Sequence, residues 1–136
     1  MAEATGKTNV GSRSRRSFLL GLLALFALPG SLWASVKGQV VATGYCACAG
    51  CCGSNSLEAG GHGLTASGKR PYPGVTVAAD WSLFPPGTRL AIQDVGDRVV
   101  QDRGRGIVGR RIDVFFRSHA EAVRFGRRRV GVRIMV

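Results

Sequence analysis

The sequence predicts an all-β fold: a small closed β-barrel with one short helix near the C-terminus. Three observations predict it. From about residue 37 the chain becomes a series of short β-like runs punctuated by Gly, Pro and Asp. Val130, Val132, Ile134 and Val136 alternate with Gly131, Arg133 and Met135, the period of a half-buried strand. Ser118-His119-Ala120-Glu121 forms a capping box, a helix start with few rivals in this stretch. About six short strands and one helix in roughly 100 residues suit a closed barrel.

Each element has its own signal. Gln39 to Tyr45 reads as a strand through Val40, Val41 and Tyr45. Cys46 to Leu64 is rich in Gly, Cys and Ser and reads as a loop. Val75 to Ala79 is a strand, ended by the turn Pro85-Pro86-Gly87. Arg89–Gln93 and Arg98–Gln101 are strands joined as a hairpin through Asp94-Val95-Gly96-Asp97. Ile112 to Phe116 is a strong strand of β-branched and aromatic residues. Ser118 caps the helix, Ala122, Val123 and Phe125 give it an apolar face, and Gly126 stops it. Arg127-Arg128-Arg129 reads as a solvated basic turn before the last strand.

The 136 residues hold one such domain, residues 35–136, behind a leader, residues 1–34. Ser14-Arg15-Arg16-Ser17-Phe18-Leu19-Leu20 fits a twin-arginine signal, and the apolar run Phe18–Leu28 is as short as a signal core. Export through the twin-arginine pathway to the periplasm or cell envelope is the expectation. The alternative is an uncleaved segment that anchors the domain to the membrane. The net charge is +11, and residues 35–136 keep 15 basic against 7 acidic side chains. Such a surface attracts polyanions. With export, the expected polyanion is a wall polymer and not nucleic acid.

The few carboxylates are informative. Asp80 follows one strand and Asp102 ends another. Asp113 sits among Ile112, Val114, Phe115 and Phe116, where an ionisable group is costly unless paired or functional. Pointing to solvent from an edge strand is the alternative. Glycosidic cleavage needs a carboxyl that holds its proton near neutral pH, which apolar surroundings and a second carboxylate both favour. Asp113 has the surroundings, and Asp102 is the candidate neighbour.

Cys46, Cys48, Cys51 and Cys52 put four thiols into seven residues. In an exported chain the default is two disulfides. Adjacent Cys51 and Cys52 rarely bond each other, which leaves two connectivities of three. The rival is a structural zinc on these cysteines, with His62 as a spare ligand. His119 reads as an ordinary first-turn residue. Gly104-Arg105-Gly106-Ile107-Val108-Gly109 matches a dinucleotide fingerprint in letters only, because a strand and not a helix follows it. Trp81 and Tyr72 suit either sugar stacking or packing at the barrel rim.

Thr65-Ala66-Ser67-Gly68, Val77-Ala78-Ala79-Asp80, Pro86-Gly87-Thr88, Asp102-Arg103-Gly104, Ile112-Asp113 and Ala122-Val123-Arg124-Phe125-Gly126 stand in one order. This order resembles the three-aspartate (3D) domain family over about residues 40–136. That family is similar to the catalytic domain of A-type membrane-bound lytic transglycosylases and to stationary-phase survival muralytic proteins. The resemblance implies a double-psi β-barrel that cleaves peptidoglycan glycan strands between N-acetylmuramic acid and N-acetylglucosamine. The product would be a 1,6-anhydro-muramic acid end, formed in cell-wall turnover by a monomer needing no cofactor. It implies Asp113 as acid/base, Asp102 holding the charge and hydrogen bonds of the site, and Asp80 orienting the pair. Thr65 and Ser67 would lie on a substrate-side loop. The family's small, Gly-rich stretch after Asp102 here carries Arg103 and Arg105, with Arg110 and Arg111 behind. These cations would either oppose an acid at Asp113 or, with Arg105 foremost, grip wall carboxylates. A non-catalytic wall-binding barrel of the expansin type is the alternative function.

Overall fold

The computed structural model describes residues 37–135. The leader expected at residues 1–34 lies outside them. Six strands close a barrel in the order β1-β5-β2-β4-β3-β6. They are β1 (Lys37–Tyr45), β2 (Thr76–Ala79), β3 (Arg89–Ile92), β4 (Gly96–Asp102), β5 (Arg111–Phe115) and β6 (Arg128–Met135). The β1–β5 and β2–β4 pairs are parallel, and the other four pairings are antiparallel. The expected small double-psi β-barrel with a short helix before its last strand is what the chain forms.

Alternation builds the core. Val40 and Ala42 of β1, Val77 and Ala79 of β2, Leu90 and Ile92 of β3, and Val100 of β4 all point inward. Ile112 and Val114 of β5 and Val130 and Val132 of β6 complete the filling. Closure leaves no free edge, and every strand contributes at least one side chain to this core.

Three local readings are corrected. The hairpin loop is Gln93-Asp94-Val95, because Ile92 pairs with Gly96 and β4 begins there. Asp94 takes a left-handed φ of 60°, which an Asp tolerates better than most residues. Arg128 and Arg129 are not in a turn: they pair with Ala42 and Val41 at the start of β6. The Cys46–Leu64 stretch is not plain loop. It holds a single helical turn, α1 (Ala49–Cys52), and two 3₁₀ turns (Gly53–Asn55 and Leu57–Ala59).

Helix α2 (His119–Phe125) starts where the capping box lies. The Ser118 hydroxyl accepts from the Glu121 N–H at 3.2 Å, and the Glu121 carboxylate accepts from the Arg117 N–H at 3.1 Å. Gly126, at φ 64°, ends it. No described helix is long and apolar enough to cross a membrane.

Candidate functional site

The outer face of the barrel wall carries the chemistry. On β5, Ile112 and Val114 face inward, so Asp113 and Phe115 face out. Asp113 pairs with Thr43 of β1 on one side and with Ala78 of β2 on the other. Ala78 pairs in turn with Asp102 of β4. Asp102, Ala78, Asp113 and Thr43 therefore form a row across four adjacent strands. The two aspartates lie two strand spacings apart, about 10 Å between Cα atoms. Between them stands Ala78, whose side chain is a single methyl group.

A bulge sets the row. Val77 pairs with Val100, but Ala78 pairs with Asp102, so Gln101 is the extra residue on β4. The bulge changes the parity of β4 at its end and re-aims its last side chain. Val100 stays in the core while Asp102, two residues on, joins the outer row.

The two carboxyls are held differently. Asp102 accepts three hydrogen bonds: from the Tyr45 hydroxyl at 2.8 Å, the Ala66 N–H at 2.8 Å and the Arg103 N–H at 2.9 Å. Its backbone carbonyl also accepts from the Trp81 indole N–H at 3.0 Å. Asp113 accepts one side-chain bond, from the Thr43 hydroxyl to Oδ1 at 2.8 Å. Burial pushes the Asp113 carboxyl up to about 6, against that hydrogen bond; the charge of Asp102 adds to the rise and that of Arg111 opposes it. Burial and Asp102 also drive the Tyr45 phenol far above its ordinary range, so it remains a donor to Asp102. Asp113 is half-buried in a strand interior to the barrel wall and does not sit on an edge.

A cleft of about 470 Å³ opens over the row. Tyr45, Ala78, Asp102 and Asp113 line it, with Cys51 to Asn55 along one rim and Arg103 to Arg105 and Ile107 along the other. Tyr45, Ala78 and Phe115 form a small apolar cluster beneath, with Cys51 and Cys52 packed on it.

The other expected site residues are placed as follows. Asp80 does not line the cleft. Its carboxylate accepts from the Gly109 N–H at 2.7 Å and from the Ser82 N–H and hydroxyl at 2.9 and 2.7 Å, and these bonds hold it below the usual carboxylate range. It therefore ties the end of the 103–109 loop to β2 and acts on the cleft only through that loop. Thr65 and Ser67 do not line the cleft either. Their hydroxyls lie 3.1 Å apart within a turn that Thr65 closes on the Lys69 carbonyl at 2.9 Å. That turn delivers the Ala66 N–H to Asp102. Arg105 is at the rim. The Arg103 guanidinium lies over the Trp81 ring, 4.8 Å from its centre, so its charge is parked on an aromatic face. Trp81 is thus a packing and anchoring residue. Tyr72 is exposed.

Sequence reading missed Thr43 and Tyr45 as partners of the aspartates. A signal existed in the alternation of β1, which sets Thr43 and Tyr45 on the face opposite Val40 and Ala42. Their partners, 57 and 70 positions away, could not be read from it.

The cysteines gather at the end of β1. All four are free thiols in the structure. The Cys46 sulfur lies 3.1 Å from that of Cys48 and 3.7 Å from that of Cys51, beyond a disulfide bond of about 2.05 Å. Cys52 turns away and donates to the Cys46 carbonyl at 3.1 Å. His62 is exposed and stands outside the cluster, whereas His119 stands inside it.

Residues 75–136 match the family model described as the 3D domain, so the resemblance read from the three aspartates holds. The chain is 32% identical over 98 residues to YabE of Bacillus subtilis (strain 168), which is named for cell wall shaping; the match covers 71% of this chain and 22% of that protein. It is also 32% identical over 82 residues to the cell wall-binding protein YocH of the same organism, covering 57% and 28%. The chain thus spans about a quarter of the length of these curated relatives. Among solved structures, E. coli MltA with bound chitohexaose aligns at 22% identity and a TM-score of 0.48, over 52% of this chain and 27% of that one.

Proposed function

We propose that this domain is an exported lytic transglycosylase of the cell wall, cleaving peptidoglycan between N-acetylmuramic acid and N-acetylglucosamine. The observation that carries the reading is the half-buried Asp113 carboxyl, held up to about 6 in a cleft it shares with Asp102. A carboxyl in that range can hold a proton and release it near neutral pH. Two relatives named for shaping and binding the cell wall support the substrate class and a location outside the cytoplasm.

Thr43 occupies Oδ1 of Asp113, which leaves Oδ2 for the proton. That proton passes to the glycosidic oxygen as its bond to C1 of the muramic acid breaks, and the departing sugar leaves as an alcohol. The C6 hydroxyl of the same muramic acid attacks C1 and closes the 1,6-anhydro ring. Its proton returns to Asp113, so the carboxyl ends as it began and no water is consumed. Because the nucleophile belongs to the substrate, one acid/base group suffices. Asp102, fixed by three donors, faces the positive charge that develops at C1. Arg105 at the rim suits the lactyl or peptide carboxylates of the wall.

A second reading has its own support. One relative is named only for binding the wall, and the exposed Arg103 and Arg105 would serve a binding module as well. Incubating the purified protein and its Asp113→Asn variant with peptidoglycan separates the two. The enzyme reading expects 1,6-anhydro-muropeptides by mass spectrometry from the wild type and none from the variant. A folded wild type that sediments with the wall and releases nothing establishes the binding module instead.

A further inference from the structure

Three cysteines and one histidine that the proposed chemistry does not use converge at one point. Cys46 follows the end of β1 and is buried, Cys48 precedes α1, Cys51 lies within it, and His119 opens α2 some 70 residues later. Their four donor atoms all lie within 4.8 Å of one another. We propose that Cys46, Cys48, Cys51 and His119 bind a structural zinc ion through three Sγ atoms and the His119 Nδ1.

The distances fit one tetrahedral ion. With Zn–S of about 2.3 Å and Zn–N of about 2.05 Å, ligand atoms lie about 3.8 Å apart for S···S and about 3.6 Å for S···N. Here Cys46 Sγ to Cys51 Sγ is 3.7 Å, and the His119 Nδ1 lies 3.5 Å from Cys48 Sγ and 3.4 Å from Cys51 Sγ. The Cys46–Cys48 pair, at 3.1 Å, must open slightly, and the remaining two pairs lie within 4.8 Å. Three thiolates and an imidazole in a closed set favour zinc over harder ions, and four protein ligands leave no position for substrate. Binding releases the protons that the thiols still carry, and the imidazole binds in its neutral form. A disulfide would use two of these sulfurs and leave the third, with His119, converging on nothing.

The fold delivers the ligands deliberately. α1 puts Cys48 and Cys51 on one side of a single turn. α2 lies against β1 because residue 44 is glycine: a Cβ there would come within 2.9 Å of the Phe116 ring and 3.0 Å of the Ala122 carbonyl. This close approach carries His119 to the end of β1. The ion would join β1 to α2 and seat the 46–55 segment, which forms one rim of the cleft. Cys52 is excluded, since its sulfur bonds the Cys46 carbonyl. The site holds whether the domain cleaves the wall or only binds it.

The test uses the purified full chain, kept reduced, with zinc measured by plasma mass spectrometry. One zinc per chain is expected, and cobalt in its place should give sulfur-to-cobalt charge-transfer bands and tetrahedral visible bands. Cys52→Ser should keep one metal. His119→Ala, at an exposed position, should keep the barrel's circular dichroism but weaken zinc binding at least about 100-fold, more than loss of an outer-sphere partner does. Substitution of Cys46 is avoided because it is buried and its loss alone could prevent folding. A folded, reduced chain that binds no zinc, or holds iron instead, overturns the proposal. So does an intact mass short by four hydrogens, the mark of two disulfides, when the chain is purified without reductant. Unchanged affinity in His119→Ala, or loss of metal in Cys52→Ser, overturns the ligand set.

Discussion

On β5 the side chains alternate between two surroundings. Ile112 and Val114 enter a closed core made only of apolar side chains, while Asp113 and Phe115 enter a crowded outer face of mixed chemistry. The inner face is built from all six strands and needs only shape and apolarity. The outer face is built from four strands plus the 46–59 and 65–68 segments, and it needs particular atoms. The same strand thus contributes stability on one side and the proposed reactivity on the other, and a change of one residue position separates them.

Substitutions on the two sides should behave oppositely. Ile112→Ala, which hollows the fully buried core, should cost about 3 kcal/mol, visible as a large drop in the denaturation midpoint. Asp113→Asn should instead abolish wall cleavage, by about 1,000-fold or more, while leaving the fold intact. If Asp113→Asn unfolds the chain, the two faces are not separable. The variant also has a pH signature. The folded carboxyl titrates at about 6, above its ordinary 3.8, so its protonated form is favoured in the folded state. The stability it contributes is complete below about pH 4 and is lost as pH rises through 6. Asparagine, neutral throughout, should equal the wild type at pH 4 and exceed it at pH 8 by about 1–2 kcal/mol, allowing for partial solvent access. Thermal melts at the two pH values decide this, and wild-type cleavage should fall as pH rises past 6.

Smaller changes sharpen the contrast within the outer face. Ala78→Val adds bulk between the two carboxyls and against Tyr45 and Phe115, and should cost about 1–3 kcal/mol while lowering cleavage about tenfold. Tyr45→Phe removes one donor to Asp102 and should cost about 1 kcal/mol, with a several-fold loss of activity. Asp80→Asn weakens the ties to Gly109 and Ser82. Its expected effect is the smallest, a faster proteolysis of the 103–109 loop with stability nearly unchanged. A loss of cleavage as complete as that of Asp113→Asn would return Asp80 to the reacting centre.

Some of this was legible in the chain. Strict alternation at Val130 to Ile134 marked the last strand, and Ser118 with Glu121 marked α2 to the residue. The apolar flanks of Asp113 marked it as the candidate acid, because burial is a property a neighbouring sequence can announce. The arginines were not resolved the same way. Arg103 rests on Trp81, and Arg111 only moderates the Asp113 shift, facts that depend on where each long side chain is packed.

What the sequence by itself determined is periodicity, caps, turns and the identity of the groups that could do chemistry, all set by residues within one or two turns of each other. Only the tertiary structure decided which of those groups meet. The β1–β5 and β2–β4 parallel pairs bring Thr43 to Asp113 and set Asp102 level with Ala78, and a one-residue bulge fixes that level. Closure of the barrel, with Gly44 admitting α2, brings His119 rather than Cys52 or His62 to the thiols. Parallel pairing joins segments far apart in the chain through backbone hydrogen bonds that any residue can make, so the alternation of one strand fixes which side chains face inward but does not name its partner strand.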